Sequence, residues 1–192
     1  MAESNEHKAE FSDHRRMILR ELEQTLAAID PSEIDRAQRA LLEAPRVFVT
    51  GAGRSGLALK MAAMRLMHLG LTAHVAGEVT TPAIREGDLL MVASGSGTTA
   101  GAVQAAEVAR RVGAGVLALT TDRASKLGGL ATEVVVIPAA TKQDHGSRVS
   151  EQYAGALFEQ SVLLFMDALF QGMWQARGET AETLWKRHAN LE

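Results

Sequence analysis

The sequence predicts an α/β domain: a doubly wound, five-stranded parallel sheet flanked by helices, in the flavodoxin-like order 2-1-3-4-5. Three observations lead there. Short apolar segments alternate with helical ones from Arg46 onward, the pattern of βαβ units joined by right-handed crossovers. Those segments are rich in Val, Leu and Ala with almost no polar alternation, as expected of strands covered on both faces. Two glycine-rich loops follow the first and third of them, at the strand ends where open α/β sheets hold ligands.

Residues 1–44 read as an N-terminal helical arm packing on a single body, 45–192. The arm holds ten acids and six bases, net −4. Ile18, Leu19, Leu22, Leu26 and Ile29 recur at helical spacing, and Pro31 ends that helix. Ser32 reads as the N-cap of a second helix, Glu33–Glu43. Too short and too acidic for a nucleic-acid reader, the arm suits a packing or oligomer contact.

In the body, Arg46–Thr50 reads as a buried strand. Ser55–His68 is a helix with Leu57, Met61, Met64, Leu66 and Met67 on its apolar side. Thr72–Val75 and Asp88–Ala93 are strands two and three. The alanine-rich Thr98–Val112 is a helix, Gly115–Thr120 a strand, Ser125–Leu130 a helical turn and Glu133–Ile137 the fifth strand. A long helix from Ser150 or Glu151 to about Gln175 is apolar almost all round, so it has neighbours on several sides, a subunit interface included. Glu179–His188 closes the chain as a polar, helical segment.

Composition excludes several functions. The chain has 192 residues, no cysteine and a net charge of −3 without a Lys/Arg block. Disulfide scaffolds, thiolate metal sites and cysteine nucleophiles are excluded, and nucleic-acid binding has no electrostatic drive. The longest stretch without charge, Leu89–Ala106, is broken by hydroxyls and glycines, so no membrane span is expected. Met1–Phe11 is polar, unlike a signal peptide. The expected setting is the cytoplasm.

The first glycine loop, Gly51-Ala-Gly-Arg-Ser-Gly56, has the form of a dinucleotide fingerprint, and Glu78 lies where a ribose-binding acid would be sought. The second, Ser94-Gly95-Ser96-Gly97-Thr98-Thr99, shifts the balance. Its backbone can aim several N–H groups inward as an anion nest, the following helix adds a positive end, and four hydroxyls can donate to phosphate oxygens. A Walker lysine is absent, so a phosphate monoester fits better than a nucleoside triphosphate. In the expected strand order the two loops face one crevice, which adds Arg54 and Ser55 to the candidate phosphate contacts.

The six histidines form neither HxxxH nor HExxH, and no acid cluster has ligand spacing, so no metal is expected. His68 and His74 read as structural. Glu159 is more informative: Leu163, Met166 and Phe170 share its helix face. Burial among such groups disfavours the charged carboxylate and raises its pKa, so one group can take and return a proton. Asp167 in the same helix is the weaker candidate.

The segments Val49-Thr-Gly-Ala-Gly-Arg-Ser-Gly56, Met64-Arg-Leu-Met-His-Leu-Gly70, Gly77-Glu-Val-Thr-Thr-Pro82, Ser94-Gly-Ser-Gly-Thr98, Leu157-Phe-Glu-Gln160 and Arg187-His-Ala-Asn-Leu191 resemble the sugar isomerase (SIS) domain, and within it the 6-phospho-3-hexuloisomerase family. The likeness runs from about residue 14 to the end. Glu151-Gln-Tyr-Ala-Gly155 departs from the Gln-Pro-Met-Gly expected there.

The resemblance implies an SIS fold and conversion of D-arabino-hex-3-ulose 6-phosphate to D-fructose 6-phosphate. That step belongs to formaldehyde fixation by the ribulose monophosphate pathway, with 3-hexulose-6-phosphate synthase as functional partner. It also implies a homotetramer with sites near subunit boundaries, Glu159 as the base, and Ser55 with Ser94–Thr99 as the substrate-binding set. No cofactor is needed for an enediolate isomerisation. His188 is the candidate proton shuttle between the two oxygens. The alternatives are another SIS isomerase, acting on arabinose 5-phosphate or sedoheptulose 7-phosphate, and a non-catalytic sugar-phosphate sensor.

Overall fold

The computed structural model describes residues 2–140 and 149–191, with side chains from residue 10 onward; His145 lies outside the described residues and the side chain of His7 outside the described side chains. Two helices, α1 (Ala2–Ala27) and α2 (Pro31–Glu43), precede the body. Then come β1 (Val47–Gly51), α3 (Gly53–His68), β2 (Ala73–Val75), β3 (Leu89–Ala93), α4 (Ala100–Arg111), β4 (Gly115–Thr120), α5 (Lys126–Leu130), β5 (Glu133–Val136), α6 (Ala156–Arg177) and α7 (Ala181–Trp185). The five strands form one parallel sheet in the order β2-β1-β3-β4-β5, as the sequence predicts.

Alternating strand residues feed two cores. Val47, Val49, Leu89, Met91, Leu117 and Leu119 pack beneath α3 and α6. Phe48, Leu90, Val92, Val116 and Ala118 point the other way, toward Ala102, Val103 and Ala106 of α4 and Leu127 of α5. Leu22 and Ile29, with Ala37 and Leu41 of α2, belong to the first core, so the N-terminal helices share it. The β2–β3 crossover contains turns and no helix, which leaves a groove of about 440 Å³ beside Phe48 and Leu90 on the α4 face.

Several local expectations change. The N-cap of α2 is Asp30, whose Oδ1 accepts from the Ser32 amide at 2.8 Å. Pro31, at the first helical position, has no N–H to satisfy, so the capping side chain falls before it. On α3, Leu57, Met61 and Met64 are about half exposed, whereas Leu59, Ala62, Ala63 and Leu66 are buried. Of the apolar side read from the sequence only Leu66 is buried, and the small side chains Ala58, Ala62 and Ala63 with Leu59 form the rest of the face that meets the sheet. The long helix starts at Ala156, five or six residues later than expected. The amides and hydroxyl of the preceding 149–155 strap bond to partners other than an α-helical turn: the Glu151 amide and Ser150 Oγ both donate to Glu21 of α1.

The start of β3 is pinned to the start of β1 by a buried carboxylate. Asp88 receives Arg46 Nε at 2.9 Å, Arg46 Nη2 at 2.5 Å and the Arg85 amide at 2.8 Å. Burial alone would raise the Asp88 carboxyl, but the Arg46 guanidinium and the Arg85 amide hold it below its ordinary value. A depressed carboxylate stabilises the fold above its unfolded value, near pH 4, and that contribution is lost as pH falls through the lower folded value. Asp88→Asn is expected to cost roughly 1.5–3 kcal/mol at pH 7. It should also flatten the acid limb of the stability curve, read by urea unfolding between pH 3 and 7.

Candidate active site

Parallel pairing aligns the ends of β1 and β3, with Gly51 opposite Ala93. The loops that leave these two ends face one another, as the strand order requires. In the first, Gly51 and Gly56 meet so closely that a Cβ on Gly56 would lie 2.2 Å from the Gly51 carbonyl oxygen. Glycine at 56 therefore lets α3 begin directly over the strand end, and it carries Ser55 inward to 5% exposure.

The second loop is fastened from both sides. Gly95 O accepts from the Thr121 amide (3.1 Å), Thr121 Oγ1 (2.8 Å) and Thr120 Oγ1 (3.2 Å), all at the end of β4. Gly97 O accepts from the Leu127 amide of α5 at 2.9 Å. Its φ of +61° is the left-handed region that glycine occupies without a Cβ penalty. The hydroxyls are linked in pairs, Ser94 Oγ to Thr99 Oγ1 and Thr98 Oγ1 to Ser96 Oγ, both at 3.0 Å. The carbonyls of Gly95 and Gly97 are thus drawn into the fold and the loop hydroxyls border the crevice, while the amides of Ser94, Gly97 and Thr98 already donate to Leu119 O, Ser94 O and Ser96 Oγ.

The crevice is a cavity of about 250 Å³ between these loops and the first turn of α6. Ser55, Ser94, Gly95, Ser96, Thr98 and Thr99 border it on the loop side, and Glu159 with Phe158 on the helix side. Phe158 packs against Gly95, where a Cβ would come within 3.3 Å of the ring. Glu159 is 8% exposed, and its Oε2 lies 3.1 Å from Nε of Arg54, whose side chain is largely in solvent. The carboxylate read from the sequence as lying among apolar groups therefore has a cation beside it. Helix spacing carries no signal for that contact, because Arg54 reaches Glu159 from another element. Asp167 lies eight residues along α6, roughly 12 Å from Glu159, and does not line the cavity.

His188 is not brought to this cavity within the protomer. Its ring stacks on His68 (centroids 4.9 Å) and on Trp185 (4.7 Å). His68 ends α3, whereas Ser55 lies in its first turn, and the rise of the helix separates the two by roughly 20 Å. Burial, with His188 and Arg65 nearby, holds His68 below the ordinary histidine range. Glu78, the acid considered for a ribose, pairs instead with Lys60 at 2.7 Å. Among the described residues no group of three or more His, Asp or Glu could hold a metal ion, and no helix is long and apolar enough to cross a membrane.

Residues 40–162 match the family model of the SIS domain. The chain is 54% identical over 183 residues to 3-hexulose-6-phosphate isomerase of Mycobacterium gastri, covering 95% of this chain and 92% of that protein. It is 42% identical over 176 residues to 3-hexulose-6-phosphate isomerase of Bacillus subtilis (strain 168), covering 91% and 95%. A crystal structure from Methanococcus jannaschii, reported as inferring a molecular function of 3-hexulose-6-phosphate isomerase, superposes with a TM-score of 0.82 at 25% identity. That likeness covers 94% of this chain and 99% of the other.

The loop's dependence on Gly97 is open to direct measurement. A Cβ there would lie 2.0 Å from Ser125 Oγ as well as holding a strained φ. Gly97→Ala should lower stability by about 1–3 kcal/mol in denaturant unfolding.

Proposed function

This chain belongs to the SIS domain family, and from that premise we propose that it interconverts D-arabino-hex-3-ulose 6-phosphate and D-fructose 6-phosphate without a cofactor. The observation that carries the reading is the single cavity in which a buried carboxylate, Glu159, faces a cradle of hydroxyls and amides. A sugar phosphate needs both: a seat for its dianion and a base beside its carbon chain.

The cradle of Ser55 and Ser94–Thr99 holds the phosphate. Its donors are fixed before the ligand arrives, so binding energy goes into orienting C2 and C3 rather than into ordering the loop. Glu159 takes the proton from C2 of the hex-3-ulose. The electron pair forms the C2–C3 double bond of an enediolate as the C3 carbonyl becomes an oxyanion. Glu159 then returns the proton to C3 while the O2 hydroxyl loses its own and C2 becomes the carbonyl. Arg54, ion-paired to Glu159, fixes the carboxylate's orientation and adds positive charge at the rim of an anionic site.

The two oxygens also exchange a proton, and His188 is the group assigned to that step. Within its own protomer it lies at the far end of α3, so it acts on a neighbouring subunit's cavity. Self-association, to a tetramer, is supported by the exposed stripe Leu57, Met61 and Met64 on α3 (60%, 51% and 48%), which recurs at the spacing of one helix face. Cytoplasmic action beside a 3-hexulose-6-phosphate synthase, in formaldehyde fixation, completes the reading.

Two measurements test it. Glu159→Gln should lower turnover of the hexulose phosphate at least about a hundredfold while fructose 6-phosphate still raises the melting temperature. Unchanged turnover would remove Glu159 as the base. Glu159→Gln and His188→Ala subunits, each inactive alone, should regain activity when co-assembled. No recovery in mixed oligomers would place His188 outside the chemistry.

A further inference from the structure

The strap before α6 is held by a residue from the far end of the sequence. Glu21 of α1 is 8% exposed, and both of its oxygens are engaged there. Oε1 accepts from the Glu151 amide at 2.7 Å; Oε2 accepts from Ser150 Oγ at 2.8 Å and from Gln152 Nε2 at 2.9 Å. Ser150 Oγ in turn accepts from the Gln152 amide at 3.0 Å, which closes the turn on itself. Burial alone would raise the Glu21 carboxyl, but the Glu151 amide, Gln152 and Ser150 together hold it below its ordinary value. It therefore stays an acceptor across the neutral range.

The strap then runs directly into the site. Ala154 adopts φ +49°, a left-handed conformation that a non-glycine residue holds only when its surroundings impose it. Gly155 follows, borders the cavity and accepts from the Glu159 amide at 3.2 Å in the first turn of α6. Only Tyr153 and Ala154 thus separate the last Glu21 contact from the cavity wall. Leu22, next to Glu21, is buried in the core beneath α3 and α6, so the clamp stands on packed structure.

We propose that Glu21 is a positioning residue for the isomerisation: by clamping Ser150, Glu151 and Gln152 it sets where α6 begins, and so where the Glu159 carboxylate stands relative to the phosphate cradle. The assignment rests on Glu159 being the base. It also gives the N-terminal helix a role in turnover. The strap is the stretch where this chain departs from the family pattern, at Tyr153 and Ala154, while Gln152, one of the three donors, keeps the residue expected there.

The first test is Glu21→Gln, assayed well below its melting temperature. The amide keeps one acceptor and turns a donor toward a donor. The expected result is a loss of about ten- to a hundredfold in kcat, with KM within about twofold, because the phosphate seat is untouched while the base is displaced. Gln152→Glu in the same chain reverses the polarity of the lost contact and should restore most of kcat. Gln152→Ala, which leaves α1 intact, should give the same kcat signature from the other side of the clamp.

A fall in melting temperature with kcat unchanged in Glu21→Gln and Gln152→Ala would overturn the proposal, as would a loss that Gln152→Glu does not repair. Amide hydrogen exchange needs no substrate and reads the clamp separately. Faster exchange over 151–159 in Glu21→Gln supports it, and unchanged exchange overturns it. Should the unmodified chain fail to turn over the hexulose phosphate, the functional reading falls while this exchange result still decides the clamp.

Discussion

The parallel pairing of β1 with β3 is the constraint on which the rest depends. It sets Gly51 opposite Ala93, so two chain segments that leave the sheet in different directions do so side by side. A ligand placed there meets backbone from both. The pairing is secured at both ends by different means. At the start, Arg46 and Asp88 form a two-pronged buried pair. At the finish, Gly51 and Gly56 allow α3 to begin in contact with the strand. Register errors are costly here, since a one-residue slip would swap Leu90 and Val92 into the core that Leu89 and Met91 fill. The crevice is therefore a consequence of the sheet's own pairing, with its loops fastened afterwards by β4 and α5.

What sequence could reveal follows from how local each signal is. The strands, their order and the two glycine loops were legible because β-runs such as Leu89–Ala93 and spacings such as Gly51/Gly53/Gly56 are carried within a few residues. Glu159 could be ranked above Asp167 by its helix neighbours, and only Glu159 borders the cavity. The strap was not legible. Ser150 to Gly155 reads as the opening of the long helix until Glu21, some 130 residues earlier, takes its donors. Arg54 could be placed at the crevice by strand order, yet its pairing with Glu159 depends on how α3 and α6 pack. Leu57, Met61 and Met64 read in the sequence as the apolar side of their helix and are half exposed in the protomer, for a related reason. Apolar periodicity says that a helix face is covered, without saying whether its own chain covers it.

Under the proposed isomerisation, the distribution of groups over the protomer would give self-association a functional sense. Moving a carbonyl between adjacent carbons needs a proton carried between carbons and another carried between oxygens. One carboxylate can serve the carbons. In the proposed reaction a second group serves the oxygens, which lie in the enediolate plane rather than on the face that Glu159 addresses. The cavity's own wall offers the hydroxyls of Ser55, Ser94, Ser96, Thr98 and Thr99 and the Glu159 carboxylate, with Arg54 paired to it from outside; His68 and His188 are stacked at the other end of α3. A helix keeps its two ends roughly 24 Å apart whatever its side chains do. The proposed scheme therefore seats a second copy of the chain on an exposed face such as the Leu57–Met61–Met64 stripe, which would bring the histidine end of one α3 toward the serine end of another. In the proposed scheme the assembly is then part of the catalytic apparatus, and a monomer would keep the cavity and Glu159 while lacking the contribution proposed for His188.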